Sequence, residues 1–475
     1  MDNKLISSEV LANSGIAFGT SGARGLVSDF RPDVCVAFTV AFITSIDKEF
    51  SFNTVALAID NRPSSYAIAQ ACAEGLRQLN LNVVYYGVIP TPALAYKAMQ
   101  DDMPSIMVTG SHIPFDRNGL KFYRPDGEIT KSDEQTILSN SAEFNPVSDL
   151  VKLKVSKAAE RAYIKRYADL FSHDALVGKK IGIYEHSSAG RNIYPVLFEQ
   201  LGAEVVLIDR SDTFIPIDTE AVSETDAQKA VDWTAQYKLD ALFSTDGDGD
   251  RPLLTDEKGV YLRGDLLCLL AAKILGIEAV VAPINCNSVI ETSEIFKKVI
   301  RCQIGSPYVI AEFDNLKKSY GLIAGFEANG GFMLASDIEV NGVLLTALPT
   351  RDAILPILAV LSVIDKITIS SLLESLPSRY TESDRVQGFS NARSMNVLSL
   401  GINDPSALLS KLGLPHLKAI KLDQTDGLRI ILNNGEIVHL RQSGNAPELR
   451  CYVEAKRYSR AKELVNMVVT NLSKF

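Results

Sequence analysis

With 475 residues, 46% of them hydrophobic, the chain can bury a large core, and its length favours several domains over one. The formal net charge of −9 with no basic block makes nucleic acid and anionic membranes poor candidate partners. Six scattered cysteines without C-x-x-C or zinc spacing, and no signal-peptide pattern at Met1–Ile6, point to a cytoplasmic protein with reduced thiols. The longest apolar stretches, 266–275 and 353–364, are too short to span a bilayer and predict core helices.

In chain order, the first notable segment is the glycine-rich loop Phe18–Gly25 with one arginine, Arg24. It is neither a Walker A loop nor G-x-G-x-x-G, and by itself it reads as a turn. Thr54–Ile59 then predicts a buried strand, followed by a polar turn at Asp60–Ser65, a helix to about Leu79 and a strand at Asn82–Tyr86. The same unit recurs twice. Lys180–Tyr184 leads through the turn His186–Arg191 and a helix to about Leu201 into Glu204–Ile208. Ala279–Ala282 leads through Pro283–Asn287 and a helix to about Lys298 into Val299–Cys302. Strand, turn, helix and strand in succession argue for parallel α/β units.

Each unit is followed by one more apolar strand that runs into a polar loop: Ser105–Val108 into Thr109-Gly110-Ser111-His112, Ala241–Phe243 into Ser244–Arg251, and Leu322–Ala324 into Gly325–Gly331. Ligand sites of α/β sheets lie at the carboxyl ends of strands, where these loops fall. Ser111 on such a turn can be a nucleophile, although G-x-S-x-G is absent. Side chains at adjacent positions diverge, so His112 is not expected to serve as its base. Lys121 follows in Asn118-Gly119-Leu120-Lys121 and, alone, reads as a surface residue.

The loop Asp246-Gly247-Asp248-Gly249-Asp250-Arg251 is the most specific signal. Glycines let alternate carboxylates converge, convergence demands a hard cation such as Mg²⁺ or Ca²⁺, and Arg251 adds a phosphate-type donor. An EF-hand would place Glu257 at its twelfth position, but it needs glycine where Arg251 stands, and a strand rather than a helix precedes the loop. A solvated acidic turn without metal is the remaining alternative.

The last hundred residues differ. After a linker near Ser370–Ser383, Asp423–Arg429 predicts a turn into the strand Ile430–Leu432, and Asn433-Asn434-Gly435 a hairpin. Strands at Ile437–Leu440 and Arg450–Glu454 and an amphipathic helix at Arg457–Leu472 complete a small α+β domain. Its loop Arg441–Arg450 carries two arginines, Ser443 and Asn445, and reads equally as a phosphate nest or an ordinary hairpin loop.

Taken together, Phe18–Gly25, Thr109–Pro114, Asp246–Arg251, Gly325–Gly331 and Arg441–Arg450 resemble, in order, the loops of the α-D-phosphohexomutase superfamily of phosphomannomutase/phosphoglucomutase type. The resemblance implies an α/β protein of four domains around a central cleft: three mixed α/β domains with the recurring strand–turn–helix unit, and a C-terminal α+β domain. The corresponding boundaries are 1–150, 151–256, 257–372 and 373–475. It implies that Ser111 carries a phosphoryl group, that Asp246, Asp248 and Asp250 hold Mg²⁺ with an oxygen from the phosphorylated Ser111, and that Arg251 neutralises the transferring group. Lys121 is then a general acid/base, and Arg24 and His112 line the same site. Glu327 and Asn329 lie in the sugar loop, and Arg441, Ser443, Asn445 and Arg450 in the loop for the non-reacting phosphate. The implied reaction interconverts hexose 6-phosphate and hexose 1-phosphate through glucose or mannose 1,6-bisphosphate. Mannose is expected over glucose, with glucosamine or a non-catalytic sugar-phosphate binder further behind. The expected partner is a small sugar phosphate, and the expected state monomer or homodimer. Several positions depart from the pattern: Ile113 for asparagine, Ala446 for glutamate, few basic residues at Gln303–Ser306, and Gly331 where a histidine contact is usual.

Overall fold

The computed structural model describes residues 4–19, 21–365, 367–443 and 447–475. They form two compact units, one running to Gly276 and resuming over Asn329–Ile369, the other made of Ile277–Ala328 and Ser370–Phe475.

In the first unit, the main N-terminal sheet runs in the order Ala17–Phe18, Ala23–Leu26, Arg117–Arg124, Ser105–Val108, Thr54–Ile59, Asn82–Val88. Thr54–Ile59 pairs in parallel with both of its neighbours, and Ser105–Val108 pairs antiparallel with Arg117–Arg124. Val55–Ile59 and Ser105–Val108 are buried throughout, as continuous apolar strands covered on both faces must be. The helices Pro32–Ile46 and Ser65–Gln78 pack together on this sheet. Pro32 opens the first of them at a position that needs no backbone donor.

A second sheet in this unit has the order Glu204–Arg210, Lys180–His186, Ala241–Thr245, Pro252–Leu254, the first three parallel and the last antiparallel. The two apolar stretches form the helices Gly264–Ile274 and Ile354–Leu361, which pack on one another. Phe332–Leu334 pairs antiparallel with Leu348–Asp352.

In the second unit, Lys298–Cys302, Ala279–Pro283 and Ile323–Phe326 form a parallel set centred on Ala279–Pro283. The helix expected to reach Lys298 is only Val289–Thr292. Glu294 adopts a left-handed backbone, with φ +54°, and Lys297 N donates to Glu278 O at 2.8 Å, so the chain leaves the helix early for the sheet.

The C-terminal part is an antiparallel sheet in the order Tyr380–Gln387, Glu448–Ala455, Ile437–Gln442, Leu428–Leu432, Ala419–Asp423, backed by the helices Asn391–Asn403 and Tyr458–Leu472. Two of these strands were not expected: Tyr380–Gln387 begins inside the expected linker Ser370–Ser383, and Ala419–Asp423 meets the expected turn only at Asp423. Both are partly exposed edge strands, the first polar and the second short with its apolar residues separated by lysine. No apolar run announces them, and pairing with their neighbours makes them strands. The chain is thus a multi-domain α/β protein with a C-terminal α+β domain. No helix among the described residues is long and apolar enough to cross a membrane.

Candidate active site

The site of the first unit is built on strand ends. Thr109 Oγ1, just past Ser105–Val108, donates to Asp60 Oδ2 at 2.8 Å and accepts from Ser111 N at 2.8 Å. Ser111 takes a left-handed backbone, φ +52°, which is uncommon for a residue with a side chain. That turn aims its hydroxyl at Asp246, where Oγ donates to Oδ2 at 2.7 Å.

Arg62 holds this turn from below. Its guanidinium donates to the carbonyls of Ser111 (2.9 Å), Ile113 (2.6 Å), Pro114 (2.7 Å) and Arg117 (3.1 Å) and to Asp60 Oδ2 (3.1 Å), and it stacks on the Phe214 ring at 3.9 Å. Sequence reading did not single out Arg62, although it lies in the first strand's polar turn. Arg62→Met should leave Asp60 a buried, unpaired charge and cost about 3–5 kcal/mol, read by denaturant unfolding. An unchanged midpoint would show that the loop does not depend on this residue.

The acidic loop closes on itself. Asp250 N and Arg251 N donate to Asp246 Oδ1 at 3.2 and 3.3 Å. Gly249 supplies φ +70°, and a Cβ on Gly247 would stand 2.8 Å from Ser111 O. The three carboxylates are buried, with one oxygen from each inside a 4.8 Å group. Thr91 Oγ1 donates to Asp248 Oδ2 at 2.6 Å, and Lys121 Nζ bridges Asp248 Oδ2 and Asp250 Oδ2 at 2.6 Å each. Asp248 Oδ1 and Asp250 Oδ1 are buried without a hydrogen-bond partner. Hard oxygen donors with unused lone pairs fit Mg²⁺.

Lys121 and Arg24 come from neighbouring strands. Arg24 pairs with Gly119, so Lys121, two residues on, projects from the same face of the sheet. Burial pulls Lys121 down, but Asp248 and Asp250 outweigh it and hold the ammonium above its ordinary value. Burial, then Asp248 and Asp250, push Asp246 well above the carboxylate range. Burial would raise Asp248 too, but Lys121 and the Thr91 bond hold it low. The half-buried Arg24 is lowered to about 10 by burial first and then by Arg251.

His112 departs from expectation in geometry. The left-handed turn brings its Nδ1 within 3.4 Å of Ser111 Oγ instead of letting the side chains diverge. Arg251 Nη1, however, donates to that nitrogen at 2.9 Å, which assigns the ring proton to Nε2. Burial, then Arg251 and Arg24, depress His112 to about 2, so the ring is neutral. The Ser111 proton is thus directed to Asp246 and not to the histidine.

In the loop 325–331, Asn329 Oδ1 accepts from Gly331 N at 2.9 Å and its carbonyl accepts from Thr219 Oγ1 at 2.8 Å, so the asparagine shapes its own turn. Glu327 is buried in the second unit. In the same unit, Arg441 and Arg450 lie directly opposite each other across the strand pair. Like charges so placed require anions. Arg441 Nε donates to Asp426 Oδ2 at 2.8 Å and Arg450 Nε to Glu448 Oε1 at 2.9 Å. Asp426 Oδ2 also accepts from Ile304 N at 3.0 Å, and Ser443 N donates to Glu448 O at 3.0 Å. Asn445 and Ala446 lie outside the described residues.

A buried serine hydroxyl, a carboxylate trio suited to a divalent cation and arginine and lysine side chains around them are the parts expected of a phosphoryl-transfer centre. Family comparison agrees with that class. Models of phosphoglucomutase/phosphomannomutase match as α/β/α domain I over residues 15–145, α/β/α domain III over 263–380 and the C-terminal domain over 403–471. A phosphomannomutase of Salmonella muenchen is 56% identical over 99% of this chain and 98% of its own. A phosphomannomutase of Sinorhizobium fredii is 39% identical over 95% and 97%. The crystal structure of a phosphoglucomutase/phosphomannomutase family protein from Burkholderia thailandensis has the same fold, with a TM-score of 0.74 at 18% identity over 99% of this chain and 98% of that one. The chain belongs to the phosphoglucomutase/phosphomannomutase family of the α-D-phosphohexomutase superfamily.

Proposed function

We propose that the chain is a phosphomannomutase that interconverts mannose 6-phosphate and mannose 1-phosphate through a phosphorylated Ser111. The observation that carries this reading is the Ser111 hydroxyl, turned by a left-handed backbone to within 2.7 Å of a buried carboxylate trio. The full-length 56% identity to a phosphomannomutase supports mannose as the sugar.

The free hydroxyl of the sugar phosphate attacks phosphorus as the bond to Ser111 Oγ breaks. The hydroxyl proton ends on Ser111 Oγ, and Lys121, held as an ammonium, would supply it and be reprotonated by the attacking hydroxyl. The product is a 1,6-bisphosphate, whose other phosphoryl group returns to Ser111 with the opposite proton balance. Asp246, Asp248, Asp250 and a phosphoryl oxygen on Ser111 would hold Mg²⁺, which neutralises charge on the transferring group. Arg251 and Arg24 add fixed positive charge, and His112, neutral, orients Arg251. By the family resemblance, Arg441, Ser443 and Arg450 would bind the phosphate that does not react, and Glu327 and Asn329 the sugar.

Two measurements test the reading. Incubation with mannose or glucose 1,6-bisphosphate should add about 80 Da, mapped to Ser111. Side-by-side assays should give a higher kcat/KM with mannose 1-phosphate than with glucose 1-phosphate, and the reverse order would assign the chain to glucose.

A further inference from the structure

Gly331 is not required by its backbone, since it lies outside the left-handed region occupied by Gly330 at φ +89°. Space requires it. A Cβ at 331 would stand 2.6 Å from Arg351 Cδ, 2.7 Å from Cγ and 3.1 Å from Cβ. The aliphatic stem of Arg351 thus fills the volume that any side chain at 331 would take.

Arg351 lies on the strand Leu348–Asp352 and is 3% exposed. Its neighbour Asp352 anchors the strand in the core, accepting from Tyr163 Oη at 2.6 Å, from Tyr167 Oη and from Ile354 N at 3.0 Å. The stem runs over Gly331 and brings Nη1 to 3.8 Å from Asp250 Oδ2, the oxygen that Lys121 already holds at 2.6 Å. The guanidinium is therefore at the carboxylate trio without displacing the closer lysine. Its charge is felt there: after burial, Arg351 is among the groups that lower Arg24 and Lys121. Four cations, Arg24, Lys121, Arg251 and Arg351, thus face three carboxylates in a buried centre, a surplus of positive charge even before any metal is counted. Such a surplus suits a dianionic group arriving between them.

We propose that Arg351 is a catalytic residue whose guanidinium contacts the phosphoryl group passed between Ser111 and the sugar, and that position 331 is glycine to give Arg351 passage. No bond to Arg351 forms or breaks. The P–O bond to Ser111 is exchanged for one to the sugar oxygen, and Arg351 neutralises charge on the non-bridging oxygens. The inference rests on the reading that Ser111 carries the phosphoryl group.

The test is a cycle of Gly331→Ala, Arg351→Met and the double variant, with Arg351→Lys as the charge-keeping control. Phosphorylation of Ser111 by glucose 1,6-bisphosphate, steady-state kinetics with mannose 1-phosphate, and thermal unfolding are measured on each. Arg351→Met should lower kcat about 10²–10³-fold, and Arg351→Lys should recover part of it. Gly331→Ala should slow the wild-type background strongly and the Arg351→Met background hardly at all, because the group it displaces is already gone. A kcat for Arg351→Met within twofold of wild type would overturn the proposal. So would equal losses for lysine and methionine with a matching fall in melting temperature, or fully additive effects at 331 and 351. A wild-type protein that gains no phosphoryl group removes the premise and the proposal together, whereas normal wild-type phosphorylation with a normal Arg351→Met removes the proposal alone.

Discussion

Ser111→Ala is expected to fold and to lose turnover by about 10³-fold or more, the scale of other nucleophile deletions. The change removes one hydroxyl, and with it the 2.7 Å bond to Asp246 and the longer 3.4 Å contact with His112 Nδ1. Alanine at a left-handed φ of +52° adds no new strain, since serine already bears it. The loop itself is held by Arg62 and Thr109 through backbone atoms that the substitution leaves alone. Steady-state assays should therefore show the loss, thermal unfolding a melting temperature close to wild type, and intact mass no gain of about 80 Da after bisphosphate treatment. Activity near wild type would exclude the covalent relay.

Excess EDTA should abolish activity and Mg²⁺ restore it, with the metal worth several kcal/mol of charge stabilisation, on the order of 10³-fold in kcat. Phosphorylated Ser111 can no longer donate to Asp246, and it sets a dianion against three buried carboxylates that already crowd one another. Arg24, Lys121, Arg251 and Arg351 balance only part of that charge, and a divalent cation would supply the rest. Asp248→Asn removes one ligand charge and disturbs the bonds from Thr91 and Lys121, so it should lower both Mg²⁺ affinity and kcat. Mg²⁺ should also raise the melting temperature of the wild type, by an amount equivalent to about 2.7 kcal/mol at a hundredfold excess over Kd. Full activity in EDTA would leave the trio without a catalytic cation.

The elements read correctly in advance are those whose signal is local. Val55–Ile59, Ser105–Val108 and Ala279–Ala282 are unbroken apolar runs, and a strand buried on both faces has that pattern. The strands missed, Tyr380–Gln387 and Ala419–Asp423, are partly exposed edges without an apolar run, defined by their partners. The helix after Asn287 was overextended because periodicity does not register the left-handed step at Glu294. Arg62 shows a signal that was available: it sits at the carboxyl end of the first parallel strand, the position already used to pick out the three chemical loops.

The sequence by itself determined the chemical kinds of group present and their grouping within single loops. Asp246, Asp248 and Asp250 converge within five residues because the intervening glycines permit it, and that geometry is carried by the chain locally. Only the tertiary structure decided which distant residues join them. Thr91 reaches Asp248, Lys121 bridges Asp248 and Asp250, and Arg351 passes over Gly331 to Asp250. Each is a single residue with no motif of its own. Strand pairing and burial set its distance and its charge state, and neither is encoded in any short stretch of chain.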